Sequence, residues 1–162
     1  MKLSAPGATF IKTQEAVGGK PNLTPYPDIG GGTDIGYAHN YPPSTPPSQI
    51  PARISVEQAE ALFALDTATA QQYLNANLTT SVSQQTYDGL VDYVYDRGVA
   101  AVASSGVIPL INNGSFAQAA QIVRTTGLLC NNPVLIQRRQ KEASMVLQQA
   151  SVISGAYQFA TA

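Results

Sequence analysis

The chain has 162 residues, with 9 Lys and Arg against 10 Asp and Glu, and only 12 % of its residues are charged. Its apolar share of 44 % is that of a folded domain, and no cationic run offers a grip on phosphate backbones, which excludes nucleic acid as the expected partner. One cysteine (Cys130) and one histidine (His39) exclude a disulfide framework and the commoner zinc sites, and no stretch reaches the roughly 18 uncharged apolar residues of a membrane span.

A first helix is predicted from near Pro6, after Ser4 or Ala5, with Phe10, Ile11, Gln14 and Val17 on its apolar face and Gly18-Gly19 as its stop. Residues 18–53 then hold eight of the eleven prolines and a triple-glycine run, the chemistry of turns and short strands. Ser55-Val-Glu-Gln58 is a capping box opening a second helix that ends near Asn75, with Leu62, Phe63, Tyr73 and Leu74 toward the core. Tyr87, Leu90, Val91, Val94 and Tyr95 repeat at intervals of three and one, which predicts a central helix stopped by Gly98. Another capping box, Ser115 to Gln118, opens a helix to about Thr126, and Asn132-Pro133 opens the last. The expected class is α+β, predominantly helical, with a small N-terminal lobe holding a short sheet and a larger helical lobe.

Glu15 falls on the last turn of the first helix. The negative end of the helix dipole and nearby apolar residues both disfavour a carboxylate there, so this group is expected to hold its proton as a general acid must. The alternative is a solvated surface Glu. Asp28 precedes Gly30-Gly31-Gly32, and Thr33-Asp34 follows; Asp28 and Asp34 flank a turn that lets a ligand approach. A glycosidase needs one protonated carboxyl and one carboxylate across the scissile bond, although Asp before Gly is also ordinary turn chemistry. No Gly-Lys-Ser/Thr follows the glycines, so a phosphate loop is a poor reading.

Glu15 and the run Tyr26-x-Asp28-x-x-Gly31-x-x-Asp34-Ile35-Gly36-Tyr37-x-His39 together resemble the signature of the phage-type lysozymes, glycoside hydrolase family twenty-four. Three later blocks keep the family order: Ile54-Ser to Asp66, Tyr93-Val-Tyr-Asp-Arg-Gly98, and Pro133-Val-Leu-x-x-Arg138-Arg139-x-x-Glu142. The resemblance spans residues 5 to 147. It implies a lysozyme-like fold and a muramidase that cleaves the β-1,4 bond between N-acetylmuramic acid and N-acetylglucosamine. It implies one domain over 1–162: a catalytic lobe at about 12–54, a linking helix at about 55–76, and a helical lobe at about 77–162 packed with helix 5–17. The two lobes would wall a sugar cleft hinged by the linking helix.

By the same resemblance Glu15 matches the general acid and Asp28 the second carboxylate, which helps activate water. The spacer between them is longer than the family's, with Gly18-Gly19-Lys20-Pro21 as an insertion. The family's water-positioning Thr is replaced by Asp34, with Thr33 beside it. Either fills the third position, and Asp34 keeps the interval to His39. If Asp34 instead attacks the sugar directly, the product retains its anomeric configuration. The resemblance pairs His39 with Asp66 as a structural contact between lobe and linking helix. Arg138 and Arg139 are candidate partners for Glu15 or Asp96. Tyr26, Gly32, Tyr37, Asp96 and Arg97 are candidates for sugar binding, as is Tyr41, with core packing the alternative for the aromatic rings.

No metal and no cofactor is expected, because the polysaccharide chemistry uses neither. The expected partner is the peptidoglycan glycan strand, met by a monomer in the periplasm of a target cell. The N-terminus lacks a signal-peptide pattern. Delivery by holin, phage tail or secretion system is therefore expected, with membership of a larger delivered protein or recognition by an immunity protein left open. A non-catalytic wall-binding module and a chitinase- or chitosanase-like hydrolase are the rival readings.

Overall fold

A computed structural model describes residues 1–128 and 132–159. Cys130, expected to be an unreactive thiol, lies outside them. The chain divides into two compact units: Ala8–Thr69, and Met1–Gly7 with the residues from Ala70 onward. Helix α1 (Ala5–Glu15) and helix α2 (Val56–Asn77) each run from one unit's residues into the other's. Among the described residues no helix is long and apolar enough to cross a membrane.

The unit Ala8–Thr69 holds a three-stranded antiparallel sheet in the order β1 (Asn22–Pro27), β2 (Thr33–Gly36), β3 (His39–Tyr41). Pro25 and Pro27 sit in β1, which is an edge strand, where a residue without an N–H costs least. The β1–β2 turn closes through the Asp28 N–H on the Gly32 carbonyl at 3.0 Å and the Gly31 N–H on the Asp28 carbonyl at 3.0 Å. Gly31 has a φ of 85°, which is why glycine stands there. The β2–β3 turn uses Tyr37-Ala38, and Ala38 takes a left-handed φ of 61°.

Ile11, Ile35, Tyr37, Ile54, Ala59 and Phe63 form this unit's core. The Tyr37 ring meets Phe63 edge-on with centroids 5.5 Å apart, and Lys12 Nζ lies 4.8 to 5.0 Å over both rings. Lys12 pairs with Glu60 at 2.5 Å, and the Tyr37 hydroxyl donates to the same carboxylate at 2.9 Å. The first helix stops at Glu15, earlier than expected. Val17, assigned to its apolar face, is 97 % exposed in a 3₁₀ turn (Val17–Gly19), because Gly18 and Gly19 turn the chain with positive φ.

The helical unit is built on α3 (Gln84–Arg97), in which every residue from Thr86 to Val94 is buried. The three-and-one spacing therefore does mark a central helix. Around it lie α4 (Val99–Ser104), α5 (Val107–Asn112), α6 (Phe116–Thr125) and α7 (Pro133–Phe159), with α7 packed on both α3 and α6. A Cβ on Gly89 would come within 2.8 Å of Met145 Cβ, so that glycine sets how closely α3 and α7 approach.

The caps follow the sequence in two of three cases. Ser55 and Gln58 exchange reciprocal hydrogen bonds at 2.8 and 3.2 Å, and Asn132 Oδ1 accepts from Val134 N–H at 2.9 Å. Ser115 makes no side-chain cap bond, since its backbone (φ −85°, ψ 54°) departs from the extended geometry a cap requires.

Candidate active site

Glu15 is the C-terminal residue of α1 and half-buried. Asp28 leads the glycine turn, where its Oδ2 accepts the Gly30 N–H at 2.9 Å. That bond fixes the carboxylate at the mouth of the hairpin. Gly32 lies buried beneath it: a Cβ there would come within 2.7 Å of the Tyr41 carbonyl oxygen.

The strand register sorts the remaining residues by face. Tyr26 is opposite Asp34, and Asp34 is opposite Asn40, so these three side chains form one row across the sheet. Pro27, Thr33 and Tyr41 form the adjoining row, and Ile35 with His39 shares its side of the sheet. Thr33 and Asp34 thus face opposite sides.

Asp34 is 9 % exposed, and its Oδ1 accepts the Asn40 amide at 2.7 Å. Burial raises its pKa above the usual carboxylate value and the Asp28 charge adds to this, while the Asn40 donor and His39 work the other way. The Tyr26 phenol is likewise raised, first by burial and then by Asp34, with smaller contributions from Glu15 and Asp28 that add to it and an Asn22 hydrogen bond that opposes it. Asn40, which completes the row, carries no motif of its own; its position next to His39 was the available signal.

His39 Nδ1 lies 2.9 Å from Asp66 Oδ2 and 3.0 Å from Oδ1, and its ring meets Tyr41 edge-on at 5.1 Å. The Asp66 hydrogen bond raises the His39 pKa despite partial burial. The imidazole is therefore committed to holding β3 against α2.

Three residues expected at the sugar make other contacts in this structure. Tyr37 is 4 % exposed, with its hydroxyl on Glu60 and its pKa pushed up to about 12 chiefly by burial, so no ring face is open for stacking. Asp96 belongs to a cluster of charges in the helical unit. Arg97 folds over Gly127, whose Cα leaves no room for a Cβ beside the guanidinium.

In that cluster Arg138 grips Asp92 with two hydrogen bonds (2.5 and 3.1 Å) and reaches Asp96 at 3.0 Å. Arg139 pairs with Asp96 and Glu142 and stacks on the Tyr93 ring at 5.2 Å. Both arginines are buried and both turn to α3, so two adjacent residues share one function. Three acids face two guanidinium groups. Burial and the neighbouring Asp92 together push the Glu142 pKa well above its ordinary value. Asp92 went unread in the sequence, yet Asp88, Asp92 and Asp96 repeat every four residues along a buried helix. With nine cations in the chain, that ladder was the clue.

Residues 17–142 match the phage lysozyme family, a span that begins two positions after Glu15. The endolysin of Acyrthosiphon pisum secondary endosymbiont phage 1 is 28 % identical over 151 residues, covering 90 % of this chain and 97 % of its own. The endolysin of Bacillus phage B103 is 32 % identical over 117 residues, 70 % of this chain and 42 % of that protein. Among solved structures, the muramidase domain of SpmX from Asticaccaulis excentricus superposes with a TM-score of 0.73 at 28 % identity, over 90 % of this chain and 97 % of that one. The chain therefore belongs to the phage lysozyme family and is a glycoside hydrolase of peptidoglycan.

Proposed function

We propose that Glu15 and Asp28 are the catalytic pair of a muramidase that cleaves the β-1,4 bond between N-acetylmuramic acid and N-acetylglucosamine. The observation that carries this reading is the match to the phage lysozyme family over residues 17–142, together with the Asp28 carboxylate held on the Gly30 N–H at the glycine turn. Glu15 protonates the glycosidic oxygen as the bond breaks. Its place at the negative end of α1 works against a second negative charge, which suits a residue that must arrive with its proton. Asp28, as a carboxylate steadied by the Gly30 N–H, helps draw a proton from the attacking water.

Asp34 takes the third position and holds that water. It is preferred to Thr33 because it shares a sheet row with Tyr26, whereas Thr33 lies on the side of Ile35. Tyr26 offers the ring nearest the acids for contact with a sugar. The chain meets peptidoglycan as a monomer, in the periplasm of the target cell, carried there by a holin, a phage tail or a secretion system.

Mass spectrometry of digested peptidoglycan tests the bond assignment. Muropeptides ending in reducing N-acetylmuramic acid are expected. Reducing N-acetylglucosamine ends, or release of sugars from chitosan with intact peptidoglycan, would contradict it. The anomer released first, followed by NMR, is expected to be inverted if Asp34 holds water; retention would make Asp34 the nucleophile.

A further inference from the structure

Asp34 stands where the family pattern has a neutral Thr, and the structure shows what accompanies that change. Asn40 is directly opposite on β3, and its amide donates to Asp34 Oδ1 at 2.7 Å. The amide itself is hemmed in, since a Cβ on Gly32 would come within 3.0 Å of Asn40 Nδ2. A threonine hydroxyl both donates and accepts, but a carboxylate only accepts. A water held by a carboxylate therefore takes its orientation from the carboxylate plane, and that plane must be fixed by something else.

We propose that Asn40 is a positioning residue: its amide occupies Asp34 Oδ1, sets the plane of the carboxylate, and leaves Oδ2 to accept from the attacking water. This rests on the reading that Asp34 fills the third catalytic position. Tyr26 from β1 and Asn40 from β3 share the row of Asp34, Asp28 stands in the turn, and His39, on the other side of the sheet, acts on Asp34 through its charge alone. Asp28 disfavours the charged form of Asp34, and His39 and Asn40 favour it. Asn40 is exposed, so replacing it opens no cavity in the core.

The test measures kcat/KM across pH on soluble peptidoglycan fragments for Asn40→Ala, Asn40→Asp, Asp34→Thr and the Asp34→Thr/Asn40→Ala double variant. Asn40→Ala is expected to lose about tenfold at neutral pH, the scale of one charge-assisted hydrogen bond. Its acid limb moves to higher pH because a donor favouring the charged form has gone, and Asn40→Asp moves it further. In the Asp34→Thr background, Asn40→Ala costs less than about twofold, because the plane it sets no longer exists. Equal losses in both backgrounds with an unmoved pH profile would overturn the positioning role and reduce Asn40 to a strand residue. If an Asp34→Ala variant measured alongside them matches wild type in rate and pH profile, the failure lies in the reading of Asp34, and the proposal falls with it.

Discussion

Ala38 sits in the left-handed region at φ 61°, where a Cβ crowds the following carbonyl at a cost of about 1–2 kcal/mol. Glycine adopts that conformation freely, though it gives back part of the gain through the entropy of the unfolded chain. Ala38→Gly is therefore expected to stabilise the protein by about 0.5–1 kcal/mol, read as a higher urea midpoint with an unchanged slope. His39 owes its raised pKa first to the Asp66 hydrogen bond, with a smaller contribution from the Asp34 charge, and its ring meets Tyr41 edge-on. A raised folded-state pKa means the pair stabilises fully below the ordinary histidine value of about 6.5, and that the contribution fades as pH rises through the folded value. Both side chains are partly exposed (19 % and 28 %), which holds the effect to about 1 kcal/mol. Asp66→Asn should lower the melting temperature at pH 5 and leave it nearly unchanged at pH 8.5. Equal loss at both pH values would remove the ion pair from the account.

At the scale of elements, the helical unit depends on charges inside α3 and α7. Arg138 is 4 % exposed and Asp92 fully buried, so the Asp92 charge depends on the guanidinium that grips it. Arg138→Leu strands Asp92 and should cost about 3–5 kcal/mol in denaturant unfolding, whereas adding Asp92→Leu recovers much of that loss. A double variant as unstable as the single would show that the pair contributes more than mutual compensation. The elements differ in how well the sequence announces them. The Ser55–Gln58 box and the Asn132-Pro133 start are local devices whose partners lie within three residues, and both form. Strand β1 was hidden behind Pro25 and Pro27, which read as loop until edge placement excuses them. The Ser115 box fails on backbone geometry that no residue pattern encodes. Arg138 and Arg139 were visible as a pair, but their partners on α3, Asp92 and Asp96, sit more than 40 residues away and only the fold brings them together.

For the molecule as a whole, the three acids proposed for the site came from three separate signals: the end of a helix, a glycine turn and a strand register. The first two are legible in sequence because chain ends and glycines punctuate locally. The third is not, because the face on which Asp34 and Thr33 lie depends on pairing with Tyr26 and Asn40, and a shift of one residue would exchange them. The same register puts Asn40 beside Asp34, while Tyr37, in the turn after β2, packs into the core, where Phe63, Lys12 and Glu60 enclose it. The most direct measurement of the central claim is the rate at which wild type and Glu15→Gln clear a peptidoglycan suspension, with circular dichroism melts in parallel. A general acid that supplies the glycosidic proton predicts a loss of about 10²–10⁴-fold in Glu15→Gln, with the melting temperature unchanged. Clearance by Glu15→Gln within a few-fold of wild type would contradict it.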